Sequence, residues 1–223
     1  MIRLHVIGAV GAILIGLIVA AGPPAAAATV TPTPGSSGWD VSYPQCGNRL
    51  PNGGSFAIVG VTHGLPFSVN SCLGGATGEY AWAASLGTPA LYMNTANPAP
   101  SSNYYWPASG SYDPALCKDS TSTTDPGCAY DYGWHAAQNA LNTALSAIGS
   151  VAEGIPWWLD IETGNSWNGN GISNAADIQG AIDFLHAEGV PVLGVNSTSY
   201  QWNTITGGYT VSSAPTYEVA RAG

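Results

Sequence analysis

Short β-like segments alternate with helical patterns along most of this chain, and that alternation constrains its fold more than any other feature. The β-like segments are rich in aromatic and β-branched residues and cover 39–43, 56–62, 89–94, 157–162 and 191–197. Helical apolar spacing covers 80–86, 134–148 and 173–188, with Ser173 or Asn174 capping the last helix and Gly87, Gly149 and Gly189 ending the three. Because strands separated by helices pair in parallel, the sequence predicts an α/β layer or barrel.

The first 28 residues have the layout of a secretory signal peptide. Arg3 supplies a positive charge, residues 6–21 form an unbroken run of apolar residues and glycine, and residues 26–28 are three alanines. A retained membrane helix is the alternative, but this run of 16 residues is shorter than the roughly 20 that cross a bilayer. We therefore expect secretion, cleavage near Ala28 and no stable membrane insertion of the mature chain.

The rest of the chain divides into a linker and one domain. Residues 29–37 have the Thr, Pro, Gly and Ser composition of an extended linker, and we expect the folded domain to cover 38–223. Lys and Arg number 4 against 13 Asp and Glu, which gives a formal net charge of -9. A chain with so few cations lacks the basic surface that nucleic acids require, so nucleic acid is not an expected partner.

Four cysteines in an exported chain favour two disulfides over free thiols. They are Cys46, Cys72, Cys117 and Cys128. Metal binding is the competing interpretation, but none of their spacings is Cys-x-x-Cys and no histidine lies at ligand spacing from a cysteine, so we expect no metal. Three pairings are possible; we expect the local pairs Cys46–Cys72 and Cys117–Cys128, which the sequence alone does not prove.

Polar residues gather at the C-terminal ends of the predicted strands. Along 157–162 one face is apolar, whereas the other carries Trp158, Asp160 and Glu162. Strands buried on both faces of a parallel sheet are normally apolar throughout, so core packing does not explain the two carboxylates. The other predicted strands become polar toward the same end, at Asp40, Ser42, Tyr92, Asn94 and Asn196. Since active sites of α/β barrels lie at the C-terminal ends of the strands, these residues predict one pocket.

The paired carboxylates suit glycoside hydrolysis. Two residues apart on one strand face, Asp160 and Glu162 have Cα atoms about 6.6 Å apart. A protonated carboxyl gives its proton to the leaving oxygen, and a carboxylate stabilises or traps the cation-like centre. Separations of about 5 to 5.5 Å suit retention and about 6.5 to 9.5 Å suit inversion, and this spacing does not decide between them. Repulsion and burial raise one pKa and leave the other low, which divides acid from base without a cofactor.

Aromatic and amide side chains near the carboxylates are candidate substrate-binding residues. They are Tyr43, Tyr92, Asn94, Trp158, Trp167 and Asn196. Flat aromatic rings offer apolar surfaces to sugar rings, which makes a polysaccharide the expected partner. Ordinary core packing is an equally weighted interpretation for Tyr92 and Trp158, and a weaker one for Trp167 in the polar loop 163–167. No phosphate loop or dinucleotide fingerprint is present in the sequence, and we expect no cofactor.

Two strands resemble those of family 25 glycoside hydrolases, the Chalaropsis-type lysozymes. Gly-Trp-Asp-Val-Ser at 38–42 resembles the family's opening Gly-x-Asp-x-Ser strand, and Leu-Asp-Ile-Glu at 159–162 resembles its Asp-x-Glu strand. Residues 56–61 look like the second strand and 194–197 like the fifth. The similarity runs from about residue 38 to 214.

The chain is most similar to a branch of secreted actinobacterial proteins that carry this lysozyme-like domain. The shared motifs are Pro-Gln-Cys-Gly at 44–47 and Asp-Ile-Glu-Thr-Gly-Asn-Ser-Trp at 160–167. The resemblance implies a (β/α) TIM-like barrel that cuts the glycan of peptidoglycan after N-acetylmuramic acid. It also implies Glu162 as proton donor, with Asp160 and Asp40 supporting the acetamido-assisted or nucleophilic step.

Barrels of that family continue beyond the fifth strand, so the resemblance implies a truncated barrel here, incomplete after the fifth or sixth strand. The last β-like segment is 216–220. We expect open strand edges to permit self-association and residues 207–223 to be the least ordered part of the domain.

A catalytically silent carbohydrate- or cell-wall-binding domain is the alternative function, and a structural or interaction protein is the third. The three carboxylates Asp40, Asp160 and Glu162 favour the hydrolase, whereas a truncated barrel favours the silent domain.

Overall fold

A five-stranded, all-parallel β-sheet forms the centre of the computed structural model, which describes residues 35–100, 104–107 and 117–211. The strands follow one another in chain order as β1 (Gly38–Val41), β2 (Phe56–Gly60), β3 (Thr88–Asn94), β4 (Trp157–Asp160) and β5 (Val192–Asn196). The predicted α/β fold with a parallel sheet is therefore confirmed. The predicted signal peptide, most of the linker and the segment 216–220 lie outside the described residues.

Five helices connect or follow these strands. They are α1 (Glu79–Leu86), α2 (Pro126–Ile148), α3 (Val151–Gly154), α4 (Gly171–Ala187) and α5 (Ser199–Thr206), with a 3-10 turn at Tyr43–Gln45. Helix α1 packs on β2 and β3, α4 packs on β5, and α2 lies along α4. When each parallel strand is added on the same side, right-handed crossovers place the connecting helices on one face of the sheet.

Alternation along the strands separates an apolar face from a polar one. Val59, Leu91 and Leu159 are fully buried in the core cluster, to which α2 and α4 also contribute. Their strand neighbours point the other way and include Tyr92 and Asp160. The helices therefore cover the apolar face, and the polar residues share the opposite one.

Four predicted strands end earlier than expected, and β2 and β5 stop at Gly60 and Asn196 rather than at residues 62 and 197. Strand β1 ends at Val41 rather than Tyr43, because Tyr43 starts a 3-10 turn that contains Pro44. Strand β4 ends at Asp160 rather than Glu162, although the Ile161 N–H still donates to the Asn196 carbonyl at 2.9 Å. The face assignments of these strands are unaffected.

The N-termini of two helices differ from the prediction. Helix α2 begins at Pro126, because Asp125 Oδ1 accepts the N–H groups of Gly127 and Cys128 at 2.8 and 3.1 Å and caps the helix. The cap of α4 is Asn170, which accepts the Ser173 N–H at 2.9 Å, rather than Ser173 or Asn174. Those two side chains are buried and bond elsewhere, both to Asn97.

Both predicted disulfides are present. Cys46–Cys72 joins the loop after β1 to the segment before α1, and Cys117–Cys128 joins the chain before α2 to its first turn. The predicted pairing is confirmed, and two disulfides are typical of a secreted or extracellular chain. Within the described ranges, no helix is both long enough and apolar enough to span a bilayer.

Candidate active site

The polar face of the sheet carries Asp40 on β1 and Asp160 on β4. Three strand spacings separate them, and Asp40 lies four residues before the level of Asp160 in the register of the sheet. Burial, followed by the charges of Asp160 and Glu162, raises the pKa of Asp40.

Strand register brings three polar side chains into one row. Asn94, Asp160 and Asn196 are paired residues on β3, β4 and β5. Asn94 Nδ2 donates to Asp160 Oδ2 at 2.6 Å, and Asn196 Nδ2 donates to Asp160 Oδ1 at 3.2 Å. Each carboxyl oxygen of Asp160 therefore accepts an amide N–H, which is the arrangement that an ionised carboxylate requires.

Burial and hydrogen bonding act on Asp160 in opposite directions. Burial and the neighbouring charge of Glu162 raise its pKa to about 6, while hydrogen bonds from Asn94, Asn196 and Asn165 lower it. Only 6% of the residue is exposed. Because the resulting pKa lies below 7, Asp160 is mostly ionised at neutral pH despite its burial.

The pKa of Asp40 is raised toward neutral pH. Loss of water around its carboxyl, followed by repulsion from Asp160 and then from Glu162, raises its pKa to about 7. The residue as a whole is nevertheless exposed. A carboxyl that is both reachable from solvent and half protonated near pH 7 has the properties of an acid or base catalyst.

The Tyr92 ring lies over β2 on the polar face, on the side of β1. A Cβ on Gly60 would come within 2.8 Å of Tyr92 Cζ and 2.5 Å of Ser42 Cβ, so the ring and Ser42 occupy the space above this glycine. Burial and then the charge of Asp40 raise the Tyr92 pKa, while a hydrogen bond with Ser42 acts the other way. The phenol therefore stays protonated and lies close to Asp40.

Glu162 follows β4 and is held through its main chain. The Trp167 indole N–H donates to the Glu162 carbonyl at 2.8 Å, and the ring packs against the core. Trp167 therefore holds the main chain at Glu162, and only part of its ring surface is left to contact a sugar. The Glu162 side chain itself is half-buried.

Two further predicted aromatic residues lie near this face. Trp158 pairs in register with Tyr92 and is half-buried on the same side of the sheet. Tyr43, in the turn after β1, stacks on His63 with ring centroids 3.8 Å apart, which occupies one face of its ring. Both retain surface that a ligand can reach.

Sequence reasoning did not single out two residues of this region. Thr62 is buried and hydrogen-bonds to Asn94, and the alternation from Ile58 through Gly60 to Thr62 already places it on the polar face. Glu79 is also buried, and its charge contributes to the raised pKa of Tyr92. No sequence pattern distinguishes Glu79 from an ordinary acidic residue at a helix N-terminus.

Two pockets elsewhere on the described residues lack these carboxylates. A pocket of about 370 Å³ lies against α2, α4 and the end of α5, and one of about 390 Å³ lies beside the Cys46–Cys72 disulfide. Among the described residues, no group of three or more His, Cys, Asp or Glu side chains is arranged to hold a metal ion. The candidate active site is therefore the polar face of the sheet that carries Asp40 and Asp160.

Comparisons with known proteins do not identify this chain. No family model matches it, and neither the curated proteins nor the solved structures provide a match. The resemblance to family 25 glycoside hydrolases accordingly remains a prediction from its motifs.

Proposed function

We propose that this chain is a secreted glycoside hydrolase that acts on cell-wall glycan, using carboxylate acid and base catalysis on a TIM-like barrel. The resemblance of its first and fourth strands to those of the Chalaropsis-type lysozymes favours a peptidoglycan, muramidase-like substrate.

One observation carries this proposal: Asp40 and Asp160 lie on the same polar face of the sheet, with Glu162 two residues after Asp160. The charges of Asp160 and Glu162 also raise the pKa of Asp40. Like charges held together on a partly desolvated surface destabilise the fold and call for a functional explanation. Glycoside hydrolysis needs such a set, because one carboxyl must hold a proton while another stays ionised.

In this mechanism Glu162 donates its proton to the leaving glycosidic oxygen as the bond to the anomeric carbon breaks. Asp160, ionised and held by two amides, stabilises the positive charge that develops on the sugar. Asp40, with a pKa of about 7, lies on the same polar face and supports this step. A water molecule then adds to the anomeric carbon and returns a proton to the carboxylates.

In this proposal the sugar chain lies along the polar face of the sheet. Trp158 and Tyr92 present ring surface there, and the Asn94 and Asn196 amides border Asp160. Apolar rings with a few fixed polar groups are the usual composition of a ligand site.

The test compares the mature chain with Glu162→Gln on purified cell walls, following turbidity and the release of reducing ends. We expect Glu162→Gln to lower the rate by at least about 100-fold, the lower range for loss of a general acid, with an unchanged melting temperature. Glu153→Gln is the matched control, because Glu153 is exposed on α3 and outside the site, and it should keep the wild-type rate.

A pull-down on insoluble glycan separates the remaining outcomes. Binding without bond cleavage by the wild type would identify the catalytically silent domain instead, and neither binding nor cleavage would overturn the carbohydrate proposal altogether. A Glu162→Gln variant as active as the wild type would remove Glu162 from its role.

A further inference from the structure

A buried threonine fixes the orientation of the amide that holds Asp160. Thr62 is 1% exposed and follows β2 on the polar face. Its Oγ1 accepts the backbone N–H of Asn94 at 2.9 Å and donates to Asn94 Oδ1 at 2.8 Å. Asn94 Nδ2 in turn donates to Asp160 Oδ2 at 2.6 Å.

The direction of these bonds follows from what each group can donate or accept. The backbone N–H of Asn94 donates to the Thr62 hydroxyl oxygen, and the single hydroxyl hydrogen is directed at the Asn94 side-chain oxygen. The NH₂ group then faces Asp160, which suits an ionised carboxylate because such a group only accepts. A flipped amide would turn its oxygen toward an Asp160 oxygen and would take this acceptor from the Thr62 hydroxyl.

We propose that Thr62 is a positioning residue for the carboxylate cluster: through Asn94 it keeps Asp160 a hydrogen-bond acceptor and therefore the ionised member of the cluster. This inference rests on the proposed function for its catalytic meaning. The proton that general-acid catalysis requires must then be carried by Asp40 or Glu162, while Asp160 remains available to stabilise positive charge.

The groups around Asp160 favour its protonated form unless hydrogen-bond donors oppose them. The titratable groups that face it are Asp40 from β1, Tyr92 from β3 and Glu162 after β4, whereas β5 contributes the neutral Asn196. No cation compensates its charge among these neighbours. Since burial and repulsion both favour a protonated Asp160, oriented amide donors are the groups that oppose them.

The experiment measures the titration of the Asp160 carboxyl by carbon-13 NMR, with Asp160→Asn to assign its signal. Thr62→Val keeps the side-chain shape but loses the hydroxyl, so the Asp160 midpoint should rise by about one pH unit, tenfold in its acid dissociation constant. Thr62→Ser retains the hydroxyl and should keep the wild-type midpoint. No change in Thr62→Val would overturn the proposal.

Thr95→Val is the matched control. Thr95 is equally buried, but its hydroxyl donates to the Asp160 backbone carbonyl at 2.6 Å and not to the carboxyl. A merely structural role for both hydroxyls predicts equal shifts in Thr62→Val and Thr95→Val, and that result would contradict the inference. If Thr62→Val does not fold, Asn94→Ala removes the N–H donor to Asp160 while Thr62 stays in place. An unchanged Asp160 midpoint in Asn94→Ala would also contradict the inference.

The titration does not depend on activity. Failure of the proposed function, with no cleavage by the wild type, therefore leaves the Thr62 effect on Asp160 measurable. Conversely, if the wild type cleaves glycan but Thr62→Val leaves the Asp160 midpoint unchanged, the proposed function stands and the positioning role of Thr62 is wrong.

Discussion

At the scale of single residues, Gly60 leaves space for Tyr92 and Ser42 on the polar face of the sheet. Its missing side chain leaves room for the Tyr92 ring to lie over β2, where a Cβ would meet Tyr92 Oη at 2.9 Å and Ser42 Cβ at 2.5 Å. The ring in turn stands beside Asp40, whose charge raises the Tyr92 pKa. A glycine inside a strand thus marks a close approach of side chains from two neighbouring strands.

Gly60→Ala should displace Tyr92 or Ser42, because neither neighbour can keep its position next to a new methyl group. We expect a loss of about 1–3 kcal/mol in the free energy of unfolding, the usual cost of overpacking. Urea unfolding provides the measurement, and Gly169→Ala, which meets no described atom within 4 Å, provides the control. Equal stability of the two variants would show that Tyr92 does not lie over Gly60.

Strand alternation predicts which residues face the site but not how they bond. It placed Asp160, Tyr92 and Asn94 on one face, and the structure agrees. The hydrogen bonds between Thr62 and Asn94 form only because β2 is aligned with β3. One of them uses the backbone N–H of Asn94 on β3. Such pairings between residues distant in sequence have no local pattern, so sequence reasoning missed Thr62.

At the scale of elements, helices α2 and α4 approach each other through glycines. A Cβ on Gly133 would lie 1.8 Å from the Asp177 carbonyl oxygen, and one on Gly180 would lie 2.1 Å from the Tyr130 carbonyl oxygen. Both contacts are to backbone, which cannot move aside as a flexible side chain does. The two helices therefore pack at a distance that only glycine permits at these positions.

Gly133→Ala and Gly180→Ala should each destabilise the domain although alanine favours a helix by up to about 1 kcal/mol over glycine. We expect a net loss above about 2 kcal/mol, since the helices must separate. Gly154→Ala in α3, which meets no described atom within 4 Å, should be neutral or slightly stabilising. Chemical denaturation of the three variants measures the difference, and a stable Gly133→Ala would contradict the close packing.

Local sequence determined most element positions but not every helix start. Helix α5 escaped prediction although Thr198 and Gln201 form a capping box there. The start of α2 was also missed, because apolar spacing predicted this helix only from residue 134, whereas Asp125 caps it. In both cases the local signal existed in the cap rather than in apolar spacing. The cap of α4 depended instead on tertiary contacts, since Asn97 engages both Ser173 and Asn174.

At the scale of the whole molecule, folding places acidic groups where their charge is unfavourable. The chain has a formal net charge of -9, and burial raises the pKa of Asp40, Glu79, Asp160 and Asp177. Each of these groups binds its proton more strongly in the folded chain than in the unfolded one. Stability contributed by these groups is therefore greatest below pH 4 and is lost as pH rises through their folded pKa values.

Asp40→Asn should isolate one part of this dependence, because asparagine resembles the protonated carboxyl. The pKa of Asp40 is about 7 in the folded chain, against an ordinary value of 3.8 that applies to the unfolded chain. The stability that a protonated Asp40 contributes is therefore lost between about pH 4 and 7. We expect the melting temperature to rise by about 2–4 °C at pH 8 and to change little at pH 4. Calorimetry at both pH values, with Glu153→Gln as an exposed control, measures this. A lower melting temperature at pH 8 would show that the Asp40 charge stabilises the fold and that the three carboxyls do not repel.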